Sequence, residues 1–264
     1  MSNNVFVRNR LFLLLLVVCL AFRQDVPPRL QLFLLIGQSN MAGRGAVDTE
    51  TTHPRVWMLT KEQNWVPARD PLHFDKPAVV GVGPGLAFAQ KVADAHPEQS
   101  IGLISGAVGG SGIDVWEPGA YYAPTKSYPY DDAIRRAKKA LENGQLAGIL
   151  WHQGESDSQP EKVTVYERKL MALIRRIRAD LRAETVPFLV GTLGNFYLQK
   201  NPNAGQINAI LTKLPTQIPN VYAVSASGLT HKGDTTHFDT ASARTLGRRY
   251  ADTYLNIPQK RKSE

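Results

Sequence analysis

The stretch Leu30-Gln31-Leu32-Phe33-Leu34-Leu35-Ile36-Gly37-Gln38-Ser39-Asn40-Met41-Ala42-Gly43 decides how the rest of the chain is read. From 30 to 36 it is apolar except for Gln31. A continuous apolar run of that length, entered from Pro27-Pro28 and left through glycine, reads as a strand buried on both faces. The small polar residues that follow call for a sharp turn at its end. The pattern recurs downstream. Apolar strands are expected at 101–107, 146–151, 187–193 and 221–225, separated by helical periodicity at 85–96, 131–143, 161–182, 204–213 and 240–254. In 161–182, for instance, Val165, Leu170, Leu173, Ile174 and Ile177 fall at helical spacing. Gly144 reads as the stop of the helix before it. Strands joined by helices of ten or more residues predict an α/β protein: a three-layer α/β/α sandwich around a five-stranded parallel sheet with right-handed crossovers. A long irregular stretch, 42–84, interrupts the alternation, with a short strand expected at 55–59.

Composition narrows the class. Of 264 residues, 43% are hydrophobic and 20% charged, which suits a globular domain and excludes a disordered or fibrous chain. The formal charge is +8; Arg8 and Arg10 carry two of these charges, and Lys260, Arg261, Lys262 and Glu264 a net two more, leaving +4 on the rest. No basic stripe interleaved with aromatics occurs inside the fold, so no nucleic-acid partner is expected. Residues 1–21 read as an export signal. Arg8 and Arg10 form a positive start, an apolar run follows, and Cys19-Leu20-Ala21 offers small residues at a cleavage position. An uncleaved anchor is the alternative, and membrane association is expected only in that case. Cleavage after Ala21 would remove the chain's one cysteine, excluding disulfides and thiolate zinc sites. The remaining segments are a single domain over 29–257 and a basic tail over 258–264.

Ligands of parallel sheets bind beyond the carboxyl ends of the strands. Four polar clusters fall there. Gln38-Ser39-Asn40 follows the first strand, and Gly109-Gly110-Ser111-Gly112, with Asp114 and Trp116, follows the second. His152-Gln153-Gly154-Glu155-Ser156-Asp157 follows the third, and Asp234-Thr235-Thr236-His237 follows the fifth. Each alone is explained by turn chemistry: small polar residues satisfy backbone groups, and a lone Asp in Gly-Asp-Thr-Thr caps a turn. Gathered at one edge, they supply the parts of acyl transfer. Ser39 can attack a carbonyl if His237 takes its proton, and Asp234 can hold the other ring nitrogen. The backbone N–H of Ser39, a glycine N–H from Gly109-Gly110 and the Gln153 amide could bind the oxyanion. Gln38, Asn40 and Trp116 are candidate substrate contacts, Trp116 by stacking on a sugar, though apolar packing would also explain it. His53, His73, His96 and His231 receive no role, and His152 reads as packing.

The motifs GQSNMAG, AVGGSGIDVW, WHQGESD and DTTH together resemble the SGNH hydrolase superfamily. Within it they are similar to the branch of sialate O-acetylesterases and the acetylxylan esterases of carbohydrate esterase family six. The resemblance runs from about Leu32 to His237. It implies the flavodoxin-like SGNH fold and an exported serine esterase that removes O-acetyl groups from carbohydrates, with an acetylated glycan as its partner and no cofactor, metal or stable protein partner. Residue by residue, it implies Ser39 as nucleophile and His237 as base. Gln153 stands where the wider superfamily has an asparagine oxyanion donor. Glu155, which that branch also carries, competes with Asp234 as the partner of His237; Asp234 matches the superfamily pattern and is favoured. Gly110 is favoured over Gly109 as the glycine donor. The irregular stretch 42–84 is the expected wall of the sugar pocket.

Overall fold

The computed structural model describes residues 27, 29–48 and 52–258. The expected leader over 1–21, and the tail beyond residue 258, lie outside the described residues.

The first strand, β1 (Leu30–Gly37), is followed at once by a one-turn helix, α1 (Ser39–Ala42). Next come β2 (Val56–Leu59), β3 (Trp65–Pro67), α2 (Gly85–Ala95) and β4 (Ser100–Ser105). The chain continues through α3 (Pro129–Ala140), β5 (Gly144–His152), α4 (Pro160–Leu181) and β6 (Phe188–Gly191). It finishes with α5 (Asn195–Lys200), α6 (Ala204–Lys213), β7 (Val221–Val224) and α7 (Thr240–Leu255). The strands form one sheet in the order β3-β2-β4-β1-β5-β6-β7, parallel throughout except for β3, which runs antiparallel to β2.

The three layers agree with the sequence reading, but the sheet has seven strands where five were expected. The two beyond those five come from the irregular stretch: β2 is the short strand expected at 55–59, and β3 was not expected. The β3 sequence, Trp-Val-Pro, is too short to show a period. Pro67 is tolerated because β3 is an edge strand.

Burial follows from alternation along β1. Leu30, Leu32, Leu34 and Ile36 face one core, which α3, α4 and α6 cover. Phe33 and Leu35 face the other, covered by α2 and α7. All six are fully buried, each stabilising the fold by about 1.5–3 kcal/mol relative to exposure. The same two-sided burial explains why β1 reads as a continuous apolar run.

Gly144 stops the helical run before it, as expected, and does a second job. Helix α3 ends at Ala140, a 3₁₀ turn carries the helical run to Asn143, and Gly144 caps that turn and opens β5. A Cβ there would stand 2.1 Å from the Leu30 carbonyl oxygen, so the residue is glycine for close strand approach.

From β1 the chain passes to the β2–β3 pair at one edge and returns to β4 beside β1, then crosses over and builds outward the other way through β5, β6 and β7. The carboxyl ends of β4, β1 and β5 therefore flank the point where strand order reverses, the place where open parallel sheets bind ligands. No helix among the described residues is long and apolar enough to cross a membrane.

Candidate active site

Ser39 reaches its position through a turn only glycine can make. Gly37 has φ +126, and a Cβ on it would lie 2.2 Å from the His152 carbonyl oxygen. The Gln38 N–H donates to that same oxygen at 2.9 Å, so the turn is stitched to the end of β5. Ser39 then opens α1, where its own N–H has no acceptor one turn back.

The fourth cluster lies on a tight loop between β7 and α7. Lys232 N–H donates to the His237 carbonyl at 2.9 Å, and His231 pairs with Phe238 in an isolated bridge. His231, given no role from the sequence, shapes the loop: its Nδ1 accepts the N–H groups of Gly233 and Thr235 at 3.0 and 3.2 Å. Asp234 Oδ1 accepts the N–H groups of Thr236 and His237 at 2.9 and 2.8 Å. Its Oδ2 lies 2.7 Å from His237 Nδ1, and His237 Nε2 lies 3.0 Å from Ser39 Oγ. With the Nδ1 proton donated to Asp234, Nε2 is bare and can accept a proton from the serine hydroxyl.

The charges suit that direction of transfer. Burial pushes the His237 imidazole below its ordinary 6.5, against the pull of the Asp234 hydrogen bond and charge, so the ring is neutral at pH 7. Burial also pushes the Asp234 carboxyl up. The His237 backbone N–H, the His237 ring and the Thr236 N–H together outweigh it and hold the group at about 2.

These residues line a cavity of about 500 Å³, together with Gln38, Arg44, Lys76, Gly109, Gly110, Glu155 and Lys232. The N–H of Gly109 is held by Asp75 Oδ2 at 2.7 Å, and that same oxygen takes the Arg44 guanidinium at 3.0 Å. The Gly110 N–H donates to no group among the described residues. Of the two glycines, Gly110 is the one whose donor is open.

Four sequence expectations are corrected. Glu155 does not touch His237; it accepts the Asn40 amide at 2.5 Å, and burial lifts its carboxyl to about 7. Gln153 is fully buried, with Nε2 turned to Gln38 Oε1 and the Ser111 carbonyl at 3.1 Å each and to Asp157 Oδ2 at 2.5 Å. Its amide is thus committed to the protein and does not line the cavity. Trp116, 1% exposed, stacks edge-on against Trp151 in the core, and its indole N–H donates to Ser111 Oγ at 3.0 Å. Asn40 is 4% exposed and bonded to Glu155 and the histidine loop, not open to a ligand. Gln38, the remaining candidate contact, does line the cavity.

Sequence reading missed Asp75, Arg44, Lys76, Lys232 and Asp157. The first three sit in the irregular stretch, where no periodicity marks them. Lys232 carried one available signal, its closeness to the Asp-Thr-Thr-His motif. Asp157, buried and accepting from Gln153 and the Ile113 N–H, is a brace that only the folded chain reveals.

Residues 29–256 match the family described as "Carbohydrate esterase, sialic acid-specific acetylesterase". The chain is 33% identical over 258 residues to the probable carbohydrate esterase At4g34215 of Arabidopsis thaliana, covering 89% of this chain and 93% of that protein. The crystal structure of an Arabidopsis thaliana protein with the same designation superposes with a TM-score of 0.77 at 29% identity, over 87% of this chain and 99% of the other. NanS shares the fold, with a TM-score of 0.73 at 17% identity, over 88% of this chain and 98% of its own.

Proposed function

The chain belongs to this family of carbohydrate esterases, and on that premise we propose that it removes O-acetyl groups from sugars through an acetyl-enzyme on Ser39. The observation that carries the reading is the unbroken path from Asp234 to His237 to Ser39, at 2.7 and 3.0 Å, opening into a sugar-sized cavity. Ser39 Oγ attacks the acetyl carbonyl as its proton passes to His237 Nε2. The oxyanion of the tetrahedral intermediate is met by the N–H groups of Ser39 and Gly110. Collapse expels the sugar oxygen, which takes the proton back from His237. Water, activated by the same imidazole, then attacks the acetyl ester and releases acetate. Each oxyanion donor is worth ~10²–10³ in rate.

The wall of the cavity bears on the substrate. Arg44, Lys76 and Lys232 bring three cations to it, with Arg44 paired to Asp75 and Lys232 4.0 Å from Asp234. This supports an acetylated sugar that itself carries a carboxylate, such as a sialic acid, over neutral acetylated xylan. The leader read in 1–21 supports an exported enzyme.

A fluorophosphonate probe should label the wild type and not Ser39→Ala, and acetate release should fall at least ~10⁴-fold in that variant. A protein that binds acetylated sugars but neither labels nor releases acetate would instead be a binding module on an esterase fold. An acetate-release panel of O-acetyl sialic acid, acetylated uronic acids and acetylated xylo-oligosaccharides ranks the substrates; equal rates on neutral and acidic sugars would sink the role given to the three cations.

A further inference from the structure

We propose that Asn40 and Glu155 are the positioning couple of the site: Asn40 pins the histidine loop to the nucleophile turn, and Glu155 fixes the Asn40 amide in the orientation that does so. The inference rests on Ser39 and His237 acting as nucleophile and base.

The argument begins with the neighbours of His237. Asn40 Nδ2 donates to the carbonyl of Thr236 at 3.0 Å, and the Phe238 N–H donates to Asn40 Oδ1 at 3.1 Å. The residues on either side of the base are therefore each tied to the residue next to the nucleophile. Among the described residues, the one other hydrogen bond between the turn 37–43 and the loop 231–238 is the Ser39–His237 contact itself. That contact must break and re-form during each acyl transfer, so the loop needs an attachment that survives the reaction. Asn40 is that attachment.

The amide has a single orientation that satisfies its surroundings. Thr236 presents a carbonyl and Phe238 an N–H, so the nitrogen must face the first and the oxygen the second. The other amide hydrogen goes to Glu155 Oε1 at 2.5 Å. A rotated amide would set its oxygen against the Thr236 carbonyl and its N–H₂ against the Phe238 N–H. Glu155 is itself fixed: it is 5% exposed, and the Tyr197 hydroxyl donates to its backbone carbonyl at 2.8 Å. Phe238 packs edge-on against Phe196 at 5.3 Å and against His152 at 5.6 Å, which anchors the far side of the loop. Misplacing reacting groups by about 1 Å can cost ~10² in rate, so the couple is expected to act on kcat and leave KM for a small ester nearly unmoved.

The test uses the full protein with p-nitrophenyl acetate. Asn40→Asp is isosteric but loses both donors and sets a carboxylate against Glu155; Asn40→Ala removes the bridge. Both should lower kcat ~10²-fold or more, with KM changed less than ~3-fold. The acid limb of kcat/KM, and the His237 titration followed by NMR, should move up toward the ordinary imidazole value as the freed ring gains water. Glu155→Gln keeps an acceptor for the Asn40 amide and Glu155→Ala does not, so the first should retain at least ~10-fold more kcat than the second. Asn40 variants within ~3-fold of wild-type kcat, losses that fall in KM, or equal kcat in the two Glu155 variants would each overturn the proposal. If either Asn40 variant does not fold, the comparison at Glu155 decides. A wild type inactive on every acetyl ester would defeat the esterase reading instead, and the His237 titration would still read the clamp.

Discussion

His237 and Asp234 work as a pair because their environments push them apart. The imidazole is kept below 6.5 by burial, and the carboxyl is held at about 2 by the hydrogen bonds it accepts. Between those limits the site has an ionised acid and a neutral base. The rate constant kcat/KM should therefore rise with pH as His237 loses its proton, with a half-point below 6.5, and an acid limb above that value would contradict the assignment. Asp234→Asn keeps the shape but offers Nδ1 a donor where it needs an acceptor. It should lower kcat by about 10⁴-fold, the scale of a triad carboxylate lost without change of form. Glu155→Gln should cost far less, under about 10-fold, because Glu155 reaches His237 only through Asn40. Were Glu155→Gln the more damaging, Glu155 and not Asp234 would be the partner of the base.

At the scale of the element, the proposed catalysis depends on one joint, the passage from β1 into α1. The strand end carries the cost of placing a serine over the sheet, and Gly37 meets it with φ +126 and no side chain against the His152 carbonyl. Gly37→Ala combines an unfavourable backbone region with a contact of 2.2 Å that backbone must yield to. We expect a loss of at least about 2–3 kcal/mol in denaturant unfolding, together with slower fluorophosphonate labelling of Ser39. A variant as stable and as reactive as wild type would mean that the joint is not under this constraint. A similar economy of space appears at the second cluster. There Asp75 takes the Gly109 N–H and leaves that of Gly110 open, so two adjacent glycines acquire different work from one carboxylate 34 residues away in sequence.

Across the whole molecule, the buried ionisable groups set how stability follows pH. Burial lifts Glu155 from 4.5 to about 7, so between those values the folded chain holds this proton more tightly than the unfolded chain does. Its contribution to stability is full below 4.5 and is lost as pH rises through about 7. His152 acts in the opposite sense: burial lowers it from 6.5 to about 3, and stability is lost as pH falls through that window. Denaturant unfolding at pH 5 and pH 8 should show the Glu155 part as a decline that Glu155→Gln flattens; an unchanged slope in the variant would show that the group titrates normally. The layered architecture was legible in the sequence because a strand buried on both faces must be apolar without interruption, and β1 is. The four polar clusters were legible as a group because parallel strands deliver all their carboxyl ends to one edge. The short strand β3 was not, since three residues carry no measurable period. The separate placements of neighbouring residues were not either. Ser39, Gln38 and Asn40 are consecutive, yet one faces His237, one lines the cavity, and one turns inward to hold the loop. Gln153 and Trp116 sit in motifs that look catalytic, and packing assigns both to the interior. The sequence by itself determined the chemistry available at the sheet edge, because residue type sets which protons can move. Which carboxylate lies against the imidazole, and which N–H is left open to the cavity, was decided by the tertiary structure, because a hydrogen bond depends on distances of a few tenths of an ångström between residues that lie as many as 198 positions apart.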